Sequence, residues 1–428
     1  MEILVLNSIP QNSWLVDLTN KKAYIGNNVR KLNNSEFFEG GWAHTLSPFS
    51  ESDTCIRFGS GFKIEDKNVT FFTPNHSLEG IYTIKKDNEL YVSNSLAFVM
   101  SQFKKFIFKD GFKMKDMARP LWRLTEGLKS YPRKILCNNH LEINRYLFCK
   151  IEITIDLNIS ELIYKTPYSF KDFSSYKNFL VETISQTAKN AKAIEIASYL
   201  SKGYDSVACS ALAKLAGGNL TLSVKTSRDG FIDSGVDIAQ KLGMRSVEFN
   251  RKKRDTIEKK FDWGSTNFEI IKKDEVHNFE FFVGLNFEDE VLYTDYNLHN
   301  HIVLTGFNGD VLWGMNKPVD NNLSRTETSG SSIYEFRLRQ GFTHIPIALI
   351  LNQISSNIRD ISYSKEMEKY VIEGTNYNRP IPRRIAEEMG VDRHQFGMKK
   401  TAASTMVENL DEFRDDFFHR LMKRYEIS

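Results

Sequence analysis

Ala193-Ile194-Glu195-Ile196-Ala197-Ser198-Tyr199-Leu200 runs directly into Ser201-Lys202-Gly203-Tyr204-Asp205-Ser206, and that hexapeptide leads into the small-residue stretch Val207 to Leu215. The first segment is an apolar run of strand length, and the last has the composition of a helix. A second strand reads at Leu220-Thr221-Leu222-Ser223-Val224, a helix from about Asp233 to Leu242, and a third strand from Ser246-Val247-Glu248-Phe249. Upstream, Phe179, Leu180, Ile184 and Ala188 recur at roughly helical spacing. Strands that alternate with helices imply a parallel sheet joined by right-handed crossovers. The expected fold class is therefore α/β, a parallel sheet with helices on both faces.

Working outward, the first part of the chain has a different rhythm. From Met1 to about Asn158 short alternating runs are punctuated by turn residues, and Gly80 to Leu90 places a polar Asp87-Asn88 pair between two apolar runs, the pattern of a β-hairpin. The text from about 158 to 180 is polar and aromatic without clear period and reads as a connection. With 428 residues, two domains are expected: a β-rich one over 1–160 and the α/β one over 175–428.

Composition narrows the class of function. The hydrophobic fraction of 41% and charged fraction of 26% are those of a folded globular chain. A net charge of +3 is too small to argue globally for nucleic acid or an anionic membrane, and the short run Arg251-Lys252-Lys253-Arg254 reads as a solvated loop. The four cysteines, Cys55, Cys137, Cys149 and Cys209, have no C-x-x-C spacing, which argues against a zinc ribbon or a disulfide framework. Met1-Glu2-Ile3 lacks a basic leader, and no stretch approaches the about 20 apolar residues of a membrane span. A cytoplasmic protein is expected.

The hexapeptide at 201–206 carries the chemistry. A tight turn from a parallel strand into a helix aims free N–H groups and the positive helix end at one point, which suits phosphate. Gly203 permits close backbone approach, Ser201 and Ser206 can donate hydroxyls, and Asp205 can hold the magnesium that accompanies a nucleotide. An ordinary capped strand-to-helix turn would use the same residue types.

Ser201-Lys202-Gly203-Tyr204-Asp205-Ser206 resembles the pyrophosphatase loop of the adenine-nucleotide α-hydrolases, with Lys202 where the family has a glycine. Ile302 to Gly314, with Gly306, Gly309 and Asp310, is similar to a second glycine-rich segment of asparagine synthetases and β-lactam synthetases. Read on its own, that stretch is a glycine-rich loop; the resemblance makes Gly306 and Gly309 the flexible turn and Asp310 a second magnesium ligand beside Asp205. Phe307 and Val311 stand where the family has groups that take part in catalysis, and neither can move a proton. Tyr377 to Glu388, followed by Phe396-Gly397-Met398-Lys399-Lys400, resembles the segment whose lysine reaches the α and β phosphates. Lys399 takes that role, with Lys400 next in line, although a Lys-Lys pair is by default a solvated one.

The resemblance implies a PP-loop synthetase domain of the HUP-like kind that binds ATP and Mg2+, activates a carboxylate with release of AMP and pyrophosphate, and passes it to an amine. Ser201, Lys202, Gly203, Asp205, Ser206, Gly306 and Gly309 would bind the nucleotide, and Ser223 and Val224 would meet the adenine through backbone groups. The β-rich part loosely resembles the glutaminase domain of the N-terminal-nucleophile type, in degenerate form: that mechanism needs a cysteine at the amino terminus, and the first cysteine here is Cys55. Glutamine hydrolysis is not expected. Expected partners are a small-molecule or peptide carboxylate and an amine, with a homodimer as a candidate assembly and neither nucleic acid nor membrane. A degenerate nucleotide-binding protein and a nucleobase- or tRNA-modifying relative are the rival readings.

Overall fold

The computed structural model describes residues 1–103, 132–137, 141–165, 168–227, 230–249, 296–307, 309–315, 334–347, 355–375, 377–398 and 422–427. Five strands, Glu195–Leu200, Leu220–Val224, Arg245–Phe249, His301–Thr305 and Thr343–Pro346, form one sheet in the spatial order third, second, first, fourth, fifth, and every pair is parallel. Their side chains feed two cores. Ile196, Leu200, Ile302, Leu304 and Ile345 pack with the helices Tyr204–Leu215 and Pro380–Glu388, whereas Ala197, Leu222 and Val303 pack with Phe336 and Phe342 on the other face. Burial on both faces explains why the fourth strand reads as an unbroken apolar run before Thr305.

The first strands and helices lie close to the expected places, with the loop helix beginning three residues earlier, at Tyr204. The fifth strand, Thr343-His344-Ile345-Pro346, has no apolar pattern; it lies at the sheet edge, where a proline is tolerated. Ahead of the sheet, the helix Phe173–Ala191 starts at a capping box in which Asp172 accepts from Ser175 N. Lys192 ends it with a left-handed φ of 54°.

The first part of the chain forms a seven-stranded and a six-stranded sheet, mostly antiparallel, whose inner faces meet in a core that includes Trp14, Phe37, Phe62, Phe71, Ile81 and Ile151. The expected hairpin is present, Ile81–Lys86 pairing with Glu89–Ser93 around Asp87, whose φ is 51°. One expectation is corrected: the stretch read as a connection contains the strand Ile159–Ile163, paired with Cys149–Thr154 at a sheet edge. All five of its residues are exposed, so no buried face imposes the alternation that would mark it.

The sandwich and the parallel sheet share buried contacts. Ile56, Phe58 and Leu78 belong to the same core as Tyr204, Ile302 and Ile381. Arg337 joins the two regions through Glu39 at 2.6 Å and Glu79 at 2.8 Å, all three side chains being buried. Among the described residues no helix is long and apolar enough to cross a membrane. The run Arg251 to Arg254 lies outside the described residues.

Candidate functional site

The sheet order reverses direction between the first and fourth strands, so the loops that leave their carboxyl ends open at the same place. This is where an open parallel sheet offers a crevice to a ligand. Residues 201–206 follow the first strand and residues 306–310 the fourth.

The loop 201–206 is held by its own hydroxyls. Ser206 Oγ accepts from Ser201 N at 3.1 Å and lies 2.9 Å from Ser201 Oγ, and Ser201 Oγ accepts from Gly203 N at 3.2 Å. Gly203 caps the helix Tyr204–Leu215 without a side-chain hydrogen bond of its own. A Cβ at Gly203 would meet only Ser201 Oγ at 3.3 Å and Ser206 Oγ at 3.8 Å, so the glycine leaves space at the loop. Lys202 is fixed through its backbone at both ends: its N–H donates to Asp233 Oδ1 at 3.1 Å, and its carbonyl accepts from Gly397 N at 2.8 Å. It is not among the residues with left-handed backbone, so its conformation does not demand a glycine.

Asp205 is the point at which the two loops touch. A Cβ at Gly306 would fall 2.4 Å from Asp205 Cβ, and one at Gly309 would fall 2.5 Å from Asp205 Cγ. Neither glycine has a left-handed φ, so the expected flexible turn is corrected to a steric requirement: both positions must lack a side chain for Asp205 to enter. Asp310 lies in the first turn of the next short helix, Gly309–Leu312, and acts electrostatically on the same cation as Asp205. That cation is Arg379, whose Nη1 donates to Asp205 Oδ2 and whose side chain is only 5% exposed. Burial works against its charge, but Asp205, Tyr377 and Asp310 outweigh burial and hold the guanidinium more firmly protonated than usual. Burial also pushes the Tyr377 phenol up to about 12, opposed by Arg379 and reinforced by both aspartates.

The segment carrying Arg379 is braced from behind. Tyr204, fully buried, accepts from Arg383 Nη2 at 2.6 Å and packs against Tyr377 and Phe396, with ring centroids 5.0 and 5.9 Å apart. Gly397 adopts φ +66°, and a Cβ there would fall 2.4 Å from the Tyr204 ring. The hydrogen bond from Gly397 to Lys202 thus ties the carboxyl-terminal segment to the loop 201–206 two residues before Lys399, which itself lies outside the described residues, as does Lys400.

Ser223 and Val224 end the strand next to the loop, Ser223 standing opposite Leu200. The Ser223 hydroxyl is buried and accepts from Gly235 N at 2.8 Å, so its side chain caps the next helix and is not presented at the crevice. Phe307 lies edge-on to the buried His344, with centroids 5.9 Å apart. Cys55 is buried, and burial, partly opposed by Arg57, pushes its thiol up, the opposite of an activated nucleophile. Asp233, Arg379 and Arg383 have no role in the sequence reading. A cation at 379, in the otherwise uncharged run Tyr377 to Pro382, is the one local cue for them.

No protein-family model and no curated protein matches the chain. Among solved structures it is similar to a glutamine-dependent NAD+ synthetase from Acinetobacter baumannii in complex with adenosine diphosphate, at 15% sequence identity and a TM-score of 0.28. That similarity covers 57% of this chain and 40% of the synthetase, so the chain spans less than half the length of that protein.

Proposed function

We propose that the chain is an ATP-dependent ligase of the asparagine-synthetase type, with a PP-loop, HUP-like sheet and a degenerate glutaminase-like sandwich, that activates a carboxylate for amide formation with an amine. The observation that carries this reading is the meeting of the loops 201–206 and 306–310 at the sheet reversal, with Asp205 enclosed by Gly306 and Gly309.

Magnesium fits the residues present, because Asp205 and Asp310 already keep a buried cation charged between them. Among the described residues no group of three or more histidine, cysteine, aspartate or glutamate side chains forms a metal site. Its remaining ligands would therefore be water and phosphate oxygens, as is usual for this ion. When bound, it would neutralise the polyphosphate and make pyrophosphate a better leaving group.

The chain's own groups do the rest. The positive end of the helix Tyr204–Leu215, with the hydroxyls of Ser201 and Ser206, takes the phosphate oxygens and fixes the α-phosphorus. A carboxylate oxygen of the substrate attacks that phosphorus, the bond to the bridging oxygen breaks, and pyrophosphate leaves. Lys399, two residues from the anchor at Gly397, stabilises the charge that grows on the leaving group. Phe307 offers no proton acceptor, so the amine must lose its proton to another group, such as a substrate carboxylate.

The test is exchange of labelled pyrophosphate into ATP with magnesium and a panel of carboxylates. Exchange with AMP formation is expected, and Lys399→Ala should lower it by roughly a hundredfold to a thousandfold while Lys400→Ala does not. Release of orthophosphate without AMP would defeat the reading. ATP binding with no exchange for any carboxylate would instead favour a degenerate binding protein.

A further inference from the structure

The cation found on Asp205 stands where the proposed metal would have to bind. Arg379 Nη1 donates to Asp205 Oδ2, and Asp310 attracts the same guanidinium. The side chain is not a mobile surface arm: Arg379 is 95% withdrawn from solvent and lies 5.1 Å over the Tyr377 ring. Its backbone is held too, since Arg379 is the residue before Pro380, the first residue of the helix Pro380–Glu388, and a following proline keeps a residue out of the helical region. The observed φ of −141° and ψ of 81° agree.

Asp205 is partly buried, its side chain 21% exposed, and a carboxylate partly withdrawn from water is stabilised by a cation beside it whether or not a nucleotide is present. A guanidinium and a divalent metal compete for the same oxygens and cannot both keep them. We propose that Arg379 is a resident counter-ion that holds Asp205 in the empty site and yields that carboxylate when the metal arrives with the nucleotide. This rests on the reading of residues 201–206 and 306–310 as the nucleotide site. The carboxylate keeps a cation throughout the exchange, and the released fork-shaped guanidinium is then set to meet phosphate oxygens, for which its geometry suits it. The metal binds poorly alone because it must displace Arg379 without supplying the phosphates that Arg379 would turn to. Arg379 is thus a positioning residue that couples metal binding to nucleotide binding.

The experiment titrates Mn2+ alone into the nucleotide-free full chain, with bound metal followed by electron paramagnetic resonance. Arg379→Gln removes the competing charge and keeps hydrogen-bonding capacity, so Mn2+ affinity should rise by at least about tenfold over the unaltered chain. Arg379→Lys keeps the charge on a shorter point-like group, and its affinity should fall between the two. If Arg379→Gln fails to give a folded chain by circular dichroism, the comparison of Arg379→Lys with the unaltered chain decides. Equal or weaker Mn2+ binding in the folded variants overturns the proposal. Asp205→Asn separates this failure from a wrong site: if it leaves Mn2+-dependent ATP binding intact, the site reading itself is lost, and if it abolishes that binding while Arg379 variants bind Mn2+ as before, only the exchange is.

Discussion

An alanine at 309 would set its Cβ 2.5 Å from Asp205 Cγ and 2.6 Å from Asp205 Oδ1, closer than real Cβ contacts come. The aspartate cannot retreat freely, because Arg379 holds its other oxygen and Gly306 packs against its Cβ and backbone. Gly309→Ala should therefore destabilise the fold by about 1–3 kcal/mol, the usual cost of overpacking, and should weaken magnesium-dependent nucleotide binding. Chemical denaturation alongside nucleotide titration measures both, and a neutral substitution would mean that the two loops do not pack as described. Gly309 is legible in sequence as part of a glycine-rich loop, but its reason is not. Nothing local distinguishes a glycine needed for backbone freedom from one needed to admit a side chain about a hundred residues earlier.

At the scale of elements, the loop 201–206 is a junction: it receives Asp233 from the loop after the second strand and Gly397 from beyond the helix Pro380–Glu388. The second of these can be tested by a pair of substitutions. Gly397→Ala meets both a left-handed φ of +66° and the buried Tyr204 ring, whereas Gly374→Ala meets a φ of +76° with nothing within 4 Å. Gly374→Ala should cost about 1–3 kcal/mol from backbone strain alone. Gly397→Ala should cost more and should also slow turnover, since it would lift the segment that leads to Lys399 away from Lys202. Equal melting temperatures and equal turnover in the two variants would show that the Tyr204 contact does not position the segment. The sequence reads here as a helix from Arg383 to Met389 with a proline-fixed entry and a Gly390 stop; the helix observed, Pro380–Glu388, begins three residues earlier, at the proline itself, and Gly390 has φ +85°.

At the scale of the whole molecule, the sandwich and the parallel sheet are joined by buried ionisable groups. Glu79 lies against Arg337, and His344 Nδ1 is 3.9 Å from Glu79 Oε1. His76 lies 6.2 Å from His344, ring to ring, with Arg145 and Glu39 completing the charged surroundings. Burial, assisted by Arg337 and Arg145, pushes His76 from its ordinary 6.5 down to about 3. Burial, His76 and Arg337 likewise hold His344 well below its ordinary value. Burial, opposed by Arg337 and aided by Glu39, raises Glu79 from 4.5 to about 8. Between pH 6.5 and 8 the folded chain keeps a proton on Glu79 that the unfolded chain has released, so this cluster loses stability as pH rises through that window. Below pH 6.5 the unfolded chain takes up histidine protons that burial withholds from His76 and His344 in the folded chain, so the histidines' contribution to stability is lost as pH falls. The cluster therefore favours a stability maximum near pH 6.5. Melting temperature against pH should show Glu79→Gln flattening the alkaline limb and His76→Gln flattening the acid limb; unchanged limbs in both variants would remove the cluster from the pH response.

Read from residues alone, the strand, loop and helix units from residue 193 to 249 were decided locally, because apolar period, turn residues and capping groups act over a few positions. The same holds for the hairpin at Asp87 and for the candidate phosphate loop at 201–206. Two elements escaped for the converse reason: Ile159–Ile163 and Thr343–Pro346 are edge strands whose existence depends on a neighbour and not on their own pattern. Sheet order is decided by packing across the whole molecule, and it alone sets the first strand beside the fourth and so brings Gly306 and Gly309 onto Asp205. Arg379 lies 174 residues from the aspartate it neutralises, and only the tertiary structure brings that pair together.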